Sequence, residues 1–340
     1  MKKILAITLA LLMILSLFAF AGCDSEEPKE TEGTNDETNA DSALKLGLGV
    51  YTTYDKATDA EEDVDGAASY STTAAAVLLD ANGKVIKCEI DTADIAGAFT
   101  AEGKFVSNTS FSTKGELKEA YGMSAAGMTE WYKQVDAFEK LVIGKTASEI
   151  AGLMANTGKG NDDVIAAGCT IYVSAFVKAL DLAIKNAKDS AAKSADTLKL
   201  AMNTTLKGAD YNTEEDTPGA LEFETTYAAV TLDASAKITA CANDCLGITY
   251  SFDEEGKLNG EYTGEVKTKG ELKEAYGMSA AGMTEWYKQA AAFDAACVGK
   301  TASEIAGLMG ADYKGIASVQ SAGCTIYVSS MVTIVAKAAK

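Results

Sequence analysis

The chain predicts an α+β protein made of two homologous domains, each an antiparallel sheet of hairpins with packed helices. Long blocks recur at nearly constant offsets, strand-like residues flank short polar turns early in each copy, and apolar residues spaced three and four apart follow later. "TKGELKEAYGMSAAGMTEWYKQ" runs from Thr113 to Gln134 and recurs unchanged from Thr268 to Gln289. "GKTASEIAGLM" recurs from Gly144 and from Gly299, also at an offset of 155. "AAAVLLDANGKVIKCEID" from Ala74 aligns with "YAAVTLDASAKITACAND" from Tyr227 at an offset of 153. The copies therefore occupy residues 44–190 and 195–340, each of ordinary domain size.

Ahead of the copies, Lys2 and Lys3 precede an apolar stretch from Ile4 to Phe20, then Ala21, Gly22 and Cys23. This pattern predicts an export signal over residues 1–22. Its end resembles the lipobox of bacterial lipoproteins, which implies lipid on Cys23, cleavage just before it, and an extracytoplasmic chain anchored to the cell membrane. From Asp24 to Ala43 there are eight acidic residues against Lys29 alone, and no aromatic or large aliphatic residue. With nothing to bury, 23–43 is expected to be a disordered acidic linker holding the folded part about 25 Å from the anchor.

Within each copy the elements follow in order. The stretch Thr72 to Ile90 is strand-like on both sides of "DANGK", which predicts a hairpin. A second pair of strands is expected around "AEGK" at Ala101 and "EEGK" at Glu254. Trp131, Val135, Phe138 and Val142 share one face of a predicted helix, matched by Trp286, Ala290, Phe293 and Cys297. A short "SEIAGLM" helix comes next, then "AGCTIYVS" at Ala167–Ser174 and Ala322–Ser329. A last helix has the stripe Phe176, Val177, Leu180 and Ile184, matched by Met331, Val332, Val335 and Ala339.

Composition removes several function classes. Net charge is −19, and without a basic stripe nucleic acid is a poor partner. There is no His, so Ser-His-Asp and Cys-His nucleophiles and imidazole metal sites are absent. All 30 basic residues are Lys, so no guanidinium clamps a phosphate. Cys88 matches Cys241 and Cys169 matches Cys324, while Cys245 and Cys297 are unmatched. Disulfides Cys88–Cys169 and Cys241–Cys324, one per copy, and buried free thiols are both open readings. Cys241 and Cys245 alone make a weak zinc site.

"AGCTIYVS" itself has two readings. "TIYV" suits a buried strand. The alternative starts from Gly168-Cys169-Thr170 and Gly323-Cys324-Thr325, where small residues before a Thr let backbone approach a phosphate at the start of a helix. This resembles the (Ser/Thr)-Gly-Ala-Thr segment of exported FMN-binding domains, including those of Na⁺-pumping quinone reductases. The "LDANGKVIKCEID" hairpin and "EWYKQ" helix are also similar to clostridial membrane-anchored lipoproteins grouped with that family. The resemblance implies FMN joined through its phosphate to Thr170 or Thr325 by a flavin transferase, with Gly168 and Gly323 beside it. Ala replaces the first hydroxyl residue and Cys the Ala before Thr; six residues before the Thr stand Val164 and Val319 where the transferase expects Asp, with Asp163 one position off favouring the first copy. Trp131 and Trp286 fit either a flavin-stacking or a core role. The implied function is an extracytoplasmic electron carrier with envelope redox partners, a flavoprotein rather than a catalyst with its own substrate. A cofactor-free ligand-binding or structural envelope lipoprotein is the alternative.

Overall fold

The computed structural model describes residues 43–106 and 111–340. The apolar leader, Cys23 and Asp24–Ser42 lie outside the described residues. The first copy contains β1 (Lys45–Thr58), β2 (Gly66–Leu79), β3 (Val85–Phe99), β4 (Phe105–Val106), α1 (Lys114–Leu117), α2 (Trp131–Val142), α3 (Ala147–Ala151), α4 (Asp162–Ala166), α5 (Ser174–Asn186) and β5 (Lys188–Asp189). The second contains β6 (Thr197–Ala209), β7 (Gly219–Leu232), β8 (Ile238–Phe252), β9 (Glu265–Val266), α6 (Lys269–Leu272), α7 (Trp286–Cys297), α8 (Ala302–Ile305), α9 (Ala317–Ser321) and α10 (Ser329–Ala338).

Each copy folds its three long strands into an antiparallel meander. The central strands β2 and β7 are apolar on both faces, because each sheet is covered twice. Ala74, Ala76 and Leu78 of β2 enter the core shared with the other sheet, while Ala75, Val77 and Leu79 enter the cluster under α2 and α5. In β7, Tyr227 and Ala229 face the shared core, and Ala228, Val230 and Leu232 meet α7 and α10. The layer order is helices, sheet, sheet, helices.

The two sheets meet through matching groups. Phe99 and its counterpart Phe252 stack face to face, with centroids 4.4 Å apart and planes 5° apart. Two chains of buried hydroxyls cross the interface. Thr52 bonds Thr72 at 2.7 Å and Thr72 bonds the Tyr227 phenol at 2.8 Å. Thr204 bonds Thr225 at 2.8 Å and Thr225 bonds the Tyr70 phenol at 2.7 Å. The hairpin tips clasp reciprocally: Ala60 N–H donates to Gly256 O at 2.8 Å, and Tyr211 N–H to Gly103 O at 2.8 Å. Finally β9, from the second copy, pairs with β1 of the first at Thr52↔Val266 and Thr53↔Glu265.

The predicted helical faces are buried, with Phe138, Val142, Phe293 and Cys297 fully so, while Ile184 is half-buried. The hairpin around "DANGK" forms as expected, and in the first copy "AEGK" turns β3 back into β4. In the second copy only an isolated bridge, Phe252↔Leu258, follows "EEGK". The chain there is held instead by Asn259 N–H donating to Ser251 O at 2.8 Å. The opening strands β1 and β6 were not legible as strands. β1 carries Gly49 in its interior because α5 lies against it: a Cβ there would stand 2.2 Å from Ala179 O.

Because the copies share a core, they should unfold together. Single-tryptophan variants Trp131→Phe and Trp286→Phe, each leaving a reporter in one copy, are expected to give coincident urea transitions by fluorescence. Phe99→Ala should lower stability measured from both reporters by about 3–5 kcal/mol.

Candidate functional site

The segment "AGCTIYVS" is not a strand. Helix α4 stops at Gly168 with φ +105°, and α9 at Gly323 with φ +112°, a region that side chains avoid. Cys169 turns inward and is fully buried, whereas Thr170 is exposed. Both Thr170 N–H and its Oγ1 hydroxyl donate to Gln134 Oε1, at 2.8 and 3.0 Å, and Gln134 Nε2 donates to Thr129 O at 2.8 Å. Thr325 repeats this with Gln289 Oε1 at 2.8 and 3.0 Å, and Gln289 Nε2 donates to Thr284 O at 2.7 Å. Tyr172 then makes one isolated bridge, to Lys159, and is 64% exposed before α5 begins at Ser174. The strand propensity of "TIYV" yields to the left-handed glycine and the buried glutamine, which bend the chain into a loop over α2 or α7.

Beside the second loop lies a cavity of about 540 Å³, within the usual range for small-molecule sites. Its apolar wall includes Trp286, Met283 and Met331, and its polar wall Lys207, Lys269, Ser329 and Ser330. Ser329 opens α10, so the first turn of that helix borders the cavity. Lys269 Nζ lies 5.7 Å from the Tyr276 centroid, 6.0 Å from the Trp286 ring and 3.5 Å from Glu224 Oε2. Burial opposes its charge, but Cys245, Tyr276 and Glu224 outweigh it and hold Lys269 above the ordinary ammonium range. Asp244 forms part of the floor and accepts from Thr268 Oγ1 at 2.6 Å, Cys245 N at 2.7 Å and Gly270 N at 2.9 Å, pinning α6 to β8. Among the described residues, no group of three or more His, Cys, Asp or Glu is placed to hold a metal ion.

The two copies differ at this place. Phe176 stands where the second copy has Met331, and its ring packs edge-on against Trp131 at 5.9 Å and tilted against Phe138 at 5.7 Å. At the place equivalent to Lys207 the first copy has a β-bulge that contains both Asp55 and Lys56. Asp163 favours the first copy in sequence, yet this cavity, lined by Lys207 and Lys269 together with Glu224 and Asp244, is in the second. Of the sequence-selected residues, the structure brings the loop after Thr325 to this cavity through Ile326 and Tyr327. Thr325 and Gly323 themselves do not line it. Trp286 serves both readings of its sequence, buried at 6% exposure yet forming cavity wall.

Lys207, Lys269 and Gln289 were missed from sequence. Gln289 had a signal: it is a polar residue on the buried face of α7, three positions after Trp286, and such a residue needs a partner. The lysines had none, because a surface lysine looks the same whether or not it faces a cavity.

Glu139 Oε1 accepts from Ile90 N–H at 2.5 Å, and its carboxyl is pushed up to about 9 by burial and then by Glu89. Burial also raises Asp244 and Asp294 to about 6 each.

No protein-family model matches this chain, and no curated protein or solved structure is significantly similar to it.

These raised carboxyls fix a sign for the pH response. The folded state binds protons more tightly than the unfolded chain, so their contribution favours folding at low pH and is lost as pH rises through about 6 for Asp244 and Asp294 and about 9 for Glu139. The urea midpoint is therefore expected to fall between about pH 5 and about pH 8, and Glu139→Gln should make that fall shallower. A midpoint that rises over this interval would contradict the assignment.

Proposed function

We propose that this chain is a lipid-anchored extracytoplasmic protein of the FMN-binding type, whose second copy holds one flavin-sized anionic ligand for electron transfer. The observation that carries this reading is the cavity of about 540 Å³ joining an aromatic wall, two lysines and a helix start immediately after the Thr325 loop. The donors suit the group. Trp286 and Met331 would flank a flat ring, while Lys269, Lys207 and the Ser329 and Ser330 hydroxyls would meet a phosphate. Bound FMN would supply the redox chemistry, taking up and giving off electrons.

The chain's own residues have simpler tasks. Gln289 holds the Thr325 hydroxyl at a defined, exposed position where a flavin transferase can reach it. Lys269 neutralises negative charge without a guanidinium. The buried face of Trp286 keeps water from one side of the site. Lipid on Cys23 would keep the protein at the membrane, within reach of envelope redox partners.

A second reading is favoured by one specific observation: Thr325 and Gly323 lie outside the cavity wall. In this reading the cavity binds an aromatic anion without a covalent bond, and the protein is a cofactor-free binding lipoprotein.

Co-expression with a flavin transferase, followed by intact mass and visible absorbance, separates the two. The flavin reading expects a yellow protein with one added FMN that is lost in Thr325→Ala and retained in Thr170→Ala. An unmodified, colourless chain under those conditions would overturn it. The binding reading expects no mass change but saturable quenching of tryptophan fluorescence by free FMN, weakened at least about tenfold in Lys269→Ala. Cys23→Ser should move the expressed protein from the detergent-rich to the aqueous phase.

A further inference from the structure

A second cleft, also of about 540 Å³, lies where the end of the first copy meets β8 and α7. Residues of the connecting segment, including Lys188, form one side, and Cys241 and Asp294 form the other. Cys241 Sγ donates to Asp294 Oδ1 at 3.2 Å. Asp294 is held in place by Asn243, whose Nδ2 donates to Oδ1 at 2.6 Å and whose N–H donates to Oδ2 at 3.3 Å. Cys241 also packs against the apolar cluster that contains Cys297, which lies one turn beyond Asp294 on α7 and is fully buried.

The first copy shows which member of this grouping is peculiar to the second. Cys88, Glu139 and Val142 stand at the corresponding positions, so it has the thiol and the acid but no second thiol. A structural apolar contact is satisfied by Val142. Cys297 adds a reactive atom to the same space.

We propose that Cys241 and Cys297 form a redox-active dithiol, entered from the cleft through Cys241, with Asp294 as the proton acceptor and a low-molecular-weight disulfide as the oxidant. The order follows from access: Cys241 is part-exposed on the cleft, whereas Cys297 is sealed. In the first step the Cys241 proton passes to Asp294, and the sulfur attacks one sulfur of R–S–S–R. A Cys241–S–S–R bond forms, the R–S–S–R bond breaks, and R–S⁻ leaves to take up a proton. In the second step Cys297 attacks the Cys241 sulfur, the protein disulfide forms, and the second R–S⁻ leaves with the Cys297 proton. Two protein thiols are oxidised and one small disulfide is reduced to two thiols. Hydrogen bonding with Cys297, then burial, holds the Cys241 thiol well above the usual range, so attack requires an acceptor for its proton. This assignment is independent of whether flavin binds.

The test treats the folded full chain with oxidised glutathione, alkylates the remaining thiols, and maps peptides without reduction. One internal disulfide joining Cys241 to Cys297 is expected, with Cys88 left as a free thiol. Cys297→Val, which restores the residue of the first copy, should stop the reaction at one glutathione on Cys241. Cys241→Ala should leave Cys297 unmodified, and Asp294→Asn should slow the first attachment of glutathione to Cys241 by about a hundredfold. Circular dichroism of each variant establishes that it is folded. An unreactive Cys241 in the folded wild-type chain, a crosslink from Cys241 to Cys324 or Cys245, or glutathione on Cys297 in Cys241→Ala would each overturn the proposal.

Discussion

The face-to-face contact of the two sheets is the constraint on which the rest of the structure depends. Each copy builds a sheet with two apolar faces, and its own helices can cover only one. The other face must meet the second copy, because apolar strands left in water forfeit the main favourable term in folding. Phe99 on Phe252 closes one end of that contact, at the last residues of β3 and β8. The hydroxyls there are admissible because they are paired; among the described residues, no buried side-chain nitrogen or oxygen lacks a hydrogen-bond partner.

This arrangement treats the inner and outer layers differently. Inner positions face their own counterparts or near neighbours across the interface, so a change in one copy is felt by both. Outer positions, under the helices and around the loops, answer mainly to their own copy, apart from contacts such as Lys337 with Glu116 and the cleft between Lys188 and α7. There the copies have diverged in chemically meaningful ways: Phe176 against Met331 and Val142 against Cys297. The first member of each pair gives filled space or inert packing. The second gives an open cavity or a thiol.

The "AGCTIYVS" segment shows how a local reading can misplace an element. Its β-branched and aromatic residues fit a strand, yet no strand partner extends beyond a single bridge. A fully buried glutamine on the preceding long helix captures the Thr backbone and hydroxyl together, and the left-handed glycine turns the chain toward it. Two contacts made in three dimensions thus outweigh four residues of intrinsic preference.

Duplication, the α+β class, the hairpin at "DANGK" and the buried faces of the long helices were all legible in the linear chain. Each is a statement about neighbours within a few residues, or about identity between two stretches, and periodicity records such facts directly. The opening strand β1 was hidden because Gly47 and Gly49 suit close helix contact rather than strand propensity. The cavity beside Trp286 and the cleft at Cys241 were hidden for a deeper reason. Both are assembled from residues far apart in the chain, and whether a Lys, Met or Cys faces solvent, core or cavity depends on side chains it meets only after the sheets have packed.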